Sequence, residues 1–236
     1  VGTVTVSNST FSGNTAGNNG GGIHLSSGTL SVSNSTFSGN NARWGWGGGI
    51  FSNQGSTTVT NSTFSANRAG RGGNISNLSA TVTLKNTIVA NSLAGDNCAG
   101  NAPVTDGGGN LSYPDTTCPG INANPLLGPL QDNGGPTETM ALVPGSAAID
   151  AGDDAICAAE PGNNLDQRGV ARPQGAHCDI GAVEQILEPV AVSLSAFSAG
   201  SLPDAIPPTL IFGLLLAGLA GLAGLAGIAK GTANRR

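Results

Sequence analysis

Carboxylates are missing from the first 95 residues; the earliest of the chain's 14 Asp and Glu side chains is Asp96. Glycoside hydrolysis by the usual route needs two carboxyl groups flanking the scissile bond, so that stretch holds no such site. Calcium-binding repeats need acidic oxygens in every turn, which excludes them there too. Charged residues make up only 10% of the chain and aromatics 4%. Charge is too sparse, and Val, Ile and Leu too plentiful, for a disordered chain, while long side chains are too few for a helical domain. A net charge of −5 leaves no basic footprint, so no nucleic-acid partner is expected. No CxxC spacing occurs and the only histidines are His24 and His177. That donor set argues against zinc, and no cofactor is expected. An initiator Met is missing as well: Val1 stands inside an expected strand. The chain is therefore expected to be the C-terminal part of a longer precursor.

Glycine is abundant, 38 of 236 residues, which suits short strands joined by tight turns. The four cysteines fall in two spaced pairs, Cys98/Cys118 and Cys157/Cys178. An even number in irregular sequence reads as disulfides made in an oxidising compartment, with the pairing left open.

The strongest signal is a repeat. VTVSNSTFSGN, LSVSNSTFSGN, TTVTNSTFSAN and VTLKNTIVANS align without gaps on Asn8, Asn34, Asn61 and Asn86, in steps of 26, 27 and 25 residues. Two residues earlier stand Val6, Val32, Val59 and Leu84; three later, Phe11, Phe37, Phe64 and Val89. A second block follows as GGGI at 20–23 and 47–50 and GGNI at 72–75. This period is one coil of a parallel β-solenoid, too short for helical repeats or propeller blades. Alternation such as Val4-Thr5-Val6 makes one strand face apolar, and only stacked coils bury it. The expected fold is all-β: a right-handed, single-stranded parallel β-helix with an irregular C-terminal cap and one C-terminal transmembrane helix. The recurring Asn8, Asn34, Asn61 and Asn86 are expected to form an inward amide ladder, each side chain bonding the one above.

The FxxN blocks at 11–14, 37–40 and 64–67 and the GGGI runs resemble the repeats of polymorphic outer-membrane proteins over residues 1–95. That resemblance speaks for architecture and not for an activity. Residues 96–120 read as a last, irregular coil. Within 121–188, NPLLGPLQDNGGPTETMALVPGSAAIDAGD and DQRGVARPQGAHCDIGAVE resemble the choice-of-anchor Q domain of bacterial surface proteins. Its expected role is to cover the last open coil. A Pro-bearing linker, 189–208, leads to an uncharged apolar run at 209–229, long enough to span about 30 Å of hydrocarbon. The basic tail 230–236 would then be cytoplasmic and the repeats outside. The order of spacer, span and basic tail resembles bacterial C-terminal sorting signals.

Two functions fit. One is a non-catalytic surface display or adhesion protein, held at its C-terminus, with a polysaccharide or other cell-surface ligand and the membrane as partners. The other is a polysaccharide lyase or hydrolase whose catalytic coils lie upstream. Trp44 and Trp46, with Arg43 beside them, are the candidate ligand site: alternating, they would share one face and stack on sugar rings. Arg68 and Arg71 lie at similar coil positions. Asp150, Asp153, Asp154 and Asp166 are the candidate calcium ligands, since Ca²⁺ wants about six to eight oxygens. The competing use of these acids is turn chemistry and ion pairing, with Asp150, Asp166 and Asp179 holding Arg168 and Arg172.

Overall fold

A strand of three to six residues with one apolar face cannot bury that face alone. In the computed structural model, which describes residues 2–186, the chain solves this by stacking rungs. The first rung is β1 (Thr3–Ser7), β2 (Thr10–Ser12), β3 (Thr15–Ala16) and β4 (Ile23–Leu25). The second is β5 (Thr29–Ser33), β6 (Thr36–Ser38), β7 (Asn41–Trp46) and β8 (Ile50–Ser52). The third is β9 (Ser56–Thr60), β10 (Thr63–Ser65), β11 (Arg68–Arg71) and β12 (Ile75–Asn77). The fourth has β13 (Thr81–Lys85), β14 (Ile88–Ala90) and β15 (Cys98–Gly100); β16 (Val104–Asp106), β17 (Leu111–Tyr113) and β18 (Ile121–Asn122) follow. All coil strands pair parallel with their counterparts, giving four sheets: β1-β5-β9-β13-β16, β2-β6-β10-β14-β17-β18, β3-β7-β11 and β4-β8-β12-β15. The chain is thus an all-β parallel solenoid of about four turns, with one short helix among the described residues.

Registry builds the core. Val6, Val32, Val59 and Leu84 are successive partners in the first sheet, and from Val32 onward they are fully buried. Phe11, Phe37 and Phe64 stack in the second sheet with ring centroids 4.7 and 4.5 Å apart and planes within 4°. Those spacings are those of the backbone rungs themselves, about 4.8 Å. The fourth sheet adds Ile23, Ile50, Ile75 and Cys98 in register. Cys98 bonds Cys118 inside the same buried cluster, so the isoleucine column ends on a disulfide.

The amide ladder runs through different asparagines from those expected. Asn14 donates to Asn40, Asn40 to Asn67, Asn67 to Asn74 and Asn74 to Asn97, at 2.8–2.9 Å. Asn40, Asn67, Asn74 and Asn97 are fully buried. Each of the first three also donates to a main-chain oxygen: Phe11, Phe37 and Ala90. Asn8, Asn34, Asn61 and Asn86 instead hold φ of 48, 45, 46 and 43°, the left-handed region that Asn tolerates better than most residues. They turn the chain from the first sheet into the second. Asn34 and Asn86 donate outward, to the main-chain oxygens of Leu165 and Asp153.

The segment expected to cover the last coil runs along the side of the stack. It contains an antiparallel pair, β19 (Leu127–Gln131) and β20 (Thr139–Leu142), and α1 (Asp154–Ala158), whose N-terminus is capped by Asp153. It docks on the outer face of the second sheet, where Thr10, Thr36, Thr63, Ile88 and Leu111 share one column. Against the threonines it offers polar groups. Gln167 donates to Thr10 Oγ1 (2.9 Å) and accepts from Thr36 Oγ1 (2.7 Å), and Ala182 N donates to Thr63 Oγ1 (3.0 Å). Against Ile88 and Leu111 it packs Leu142, Ala148 and Ile180. Gly181 makes the approach possible: a Cβ there would stand 2.7 Å from both Ile88 and Thr63 side chains. The flank therefore straps four rungs together.

The expected linker 189–208, transmembrane helix 209–229 and tail 230–236 lie outside the described residues. Among the described residues no helix is long and apolar enough to cross a membrane.

Two measurements check this account. In urea unfolding, Asn67→Ala, which leaves its buried amide partners unpaired, is expected to cost about 1–3 kcal/mol. Asn8→Gly, which keeps the positive φ at an exposed position, should stay within about 0.5 kcal/mol of the parent; equal losses would refute the reassigned ladder. In hydrogen exchange, Gln167→Leu should loosen amides around Thr10 and Thr36 more than those around Ile88. An unchanged exchange pattern would remove the strap.

Candidate functional site

The third sheet turns small residues inward: Ala42 and Ala69 are buried and Ala16 partly so. Its pairing carries the one irregularity of the coil registers. Arg68 pairs with Asn41 and Ala69 with Ala42, but Arg71 pairs with Trp46. Gly70 thus stands opposite Arg43, Trp44 and Gly45, and the surplus is pushed outward as a bulge. Trp44, at its crest, is 85% exposed. Gly45 is the pivot: a Cβ there would lie 2.5 Å from Asn18 and Asn19, and Asn19 Oδ1 accepts the Trp46 N–H.

The two tryptophans, expected to share a ligand face, have different surroundings. Trp44 is free. Trp46 is half-buried, with the Arg71 guanidinium 5.1 Å from its ring and the edge of Phe51 at 6.4 Å. The His24 ring also stands steeply to Phe51, with centroids 5.0 Å apart. Arg43, Arg68 and Arg71 are exposed, and none of them is in a salt bridge among the described residues. The face is thus aromatic and cationic, with no carboxylate anywhere on residues 2–95. Phe51 and His24 were not legible as members, since the fourth-sheet strands give no sign of lying beside the bulge.

The flank gathers the acids, but not into one site. Asp153 caps α1, Asp154 pairs with His177, Asp150 accepts the His177 N–H, and Asp166 binds Arg168. Among the described residues no three His, Cys, Asp or Glu side chains are placed to hold a metal ion, so the four expected calcium ligands do not converge. Their competing use prevails in part. Asp166 takes Arg168 at 2.7 Å, and Arg172 pairs with Glu184 at 3.2 Å, while Asp150 touches neither arginine. Arg172 also donates to the Asp179 and Gly181 main-chain oxygens, and Glu184 accepts the Gln174 and Asp179 N–H groups. Burial pushes the Asp179 and Glu184 carboxyls up, against backbone donors and Arg172, which pull them down. Burial also lowers Arg172. Such ions hold loop backbone in place.

Both disulfides join the spaced neighbours, Cys98 to Cys118 and Cys157 to Cys178. The second lies against the strapped face, with Asn86 Nδ2 3.2 Å from Cys157 Sγ. At the surface nearby, His177 Nδ1 is 2.8 Å from Asp154 Oδ2. That hydrogen bond raises the imidazole, and it lowers Asp154 together with the Cys178 N–H.

Comparison with known proteins agrees with the architecture. Residues 1–110 match a family model described as a right handed beta helix region. No curated protein and no solved structure matches the chain. The matched region is similar to a right-handed β-helix, and the parallel rungs of the structure agree with that likeness.

The His177–Asp154 contact sets a pH window. A raised imidazole keeps the contact at low pH and loses it as pH climbs past its folded value, above the ordinary value of about 6.5. A lowered carboxyl loses it as pH falls below the ordinary aspartate value of about 3.9. NMR titration of His177 should give a midpoint above about 6.5, moving down in Asp154→Asn. An unmoved midpoint in that variant would break the link.

Proposed function

We propose that this is a non-catalytic surface display or adhesion protein, held by its C-terminus, whose coil flank binds polysaccharide. The observation that carries the reading is Trp44, 85% exposed and lifted on a bulge from a rigid wall. A large aromatic ring held open to solvent costs stability and offers a flat apolar platform to a sugar ring. Support for the surface location comes from elsewhere. Two disulfides suit an oxidising compartment. Residues 122–184 resemble the choice-of-anchor Q domain, and the repeats resemble those of polymorphic outer-membrane proteins. The apolar run at 209–229 with its basic tail would leave the coils outside a membrane. If the span is processed as a sorting signal, the same coils would be released or re-anchored. A lyase or hydrolase reading needs its catalytic coils upstream, because residues 1–95 bring no carboxylate.

The test is binding of the full chain to a panel of immobilised polysaccharides, with reducing-end and unsaturated-product assays alongside. Binding without product is expected, with Trp44→Ala costing about 2 kcal/mol of affinity and leaving the melting temperature unchanged. Product formation, or no binding to any glycan, would overturn the reading.

A further inference from the structure

Charge on the Trp44 face goes beyond what stacking on a sugar needs. Residues 1–95 carry Arg43, Arg68, Arg71 and Lys85 and no acid, although the chain as a whole is at −5. Three of those four cations belong to the third sheet. Registry fixes their layout: Arg68 lies one rung from Asn41, Arg71 one rung from Trp46, and the Arg43–Trp44 bulge rises between those two points. Arg68 and Arg71, three residues apart, are separated by about 10 Å along the strand. Registry thus puts three exposed arginines on the two strands that carry the Trp44 bulge.

No ion pair among the described residues accounts for these arginines, and Arg71 alone makes a contact with an aromatic ring. The buried arginines of this protein, Arg168 and Arg172, pair with carboxylates and gather main-chain oxygens. Arg43, Arg68 and Arg71 do not pair with any acid among the described residues. Arg71 is moreover held, not waving: its guanidinium lies over the Trp46 ring, and Trp46 is braced by Phe51. A guanidinium ordered before binding loses less entropy when it meets an anion. Below it, a shallow concavity of about 340 Å³ is lined by Gly70, Arg71, Gly95, Asp96 and Cys98. Asp96 repels anions from that end, so the attractive surface is the Arg43–Trp44–Arg68–Arg71 side.

We propose that this surface binds an anionic polysaccharide: pyranose rings stack on Trp44 while carboxylate or sulfate groups on neighbouring sugars meet Arg43, Arg68 and Arg71. This rests on the polysaccharide reading above and adds the charge of the ligand. A nucleic acid fits worse. Its dense phosphates call for a longer basic track than three arginines, and the acid-rich flank and the excess negative charge of the chain oppose it. A glycan with one charge per sugar or fewer matches the sparse cations, and arginine recognises both carboxylate and sulfate by paired N–H donors.

The experiment measures binding of the full chain to alginate, dextran sulfate, neutral dextran and duplex DNA, at low and high salt. Alginate or dextran sulfate should bind about tenfold or more tightly than dextran, weakening as salt screens the contact. The tighter of the two names the anion. Arg43→Ala/Arg68→Ala/Arg71→Ala should lose most of this preference while keeping its melting temperature; Arg71→Lys should lose only part of it. Dextran bound as tightly as its sulfate would overturn the charge proposal and leave the adhesion reading standing. No binding to any glycan would sink both, and DNA bound more tightly than either anionic glycan would show a general polyanion patch and overturn the proposal.

Discussion

Backbone hydrogen bonds between neighbouring rungs hold each side chain directly over its counterpart, and nothing in the coils is stable without that registry. A rung is four short strands around a gap too narrow for a self-contained core. Its apolar faces are buried only by the rung above and the rung below. Hence the same position must be filled by the same kind of residue in each turn: valine on valine, phenylalanine on phenylalanine, isoleucine on isoleucine. Asn14, Asn40 and Asn67 extend the rule to polar groups, rung over rung, and Asn67 hands the chain of amides on within its own rung to Asn74, which meets Asn97. A break at one level leaves partners unpaired at two.

The flank follows from the same rule. Stacked rungs present outward columns as regular as the inward ones, and the column Thr10, Thr36, Thr63, Ile88, Leu111 is a ready template. A chain laid along it must match hydroxyls with hydrogen-bonding groups and then aliphatic side chains with its own. Gln167, Ala182 and Ile180 do so in that order. The ion pairs of Arg168 and Arg172 give an otherwise irregular strap a fixed backbone path.

Much of this was legible from residue order, and the misses have physical reasons. The valine and phenylalanine columns were readable because period and alternation together state which residues repeat and which face they share. Period alone does not state whether a recurring asparagine points inward. Asn8 recurs in four coils and Asn14 in three; the first column recurs because the backbone turns there with φ near 48°, the second because the amides of Asn40 and Asn67 are buried. The bulge at Trp44 was encoded in the 27-residue step, but surplus residues do not announce which turn expels them. The flank was harder still. It has no repeat, and its acids, which resemble a ligand set when written in a line, are dispersed by the loops that carry them. One sign was available: the column at Thr10 switches from hydroxyl to aliphatic at Ile88 and Leu111.

The strap reaches the first rung from far along the chain. Thr10 meets Glu138, 128 residues later, and Gln167, 157 residues later. A ribosome delivers these partners in the opposite order to the one in which a zipper would close. The first rung emerges early and must stack on the second with its outer hydroxyls facing water, until translation of the flank is nearly done. Assembly of the coils is local and can keep pace with synthesis, while the clasp that joins rung one to rung four waits for distant sequence. The solenoid is thus wound first and fastened last.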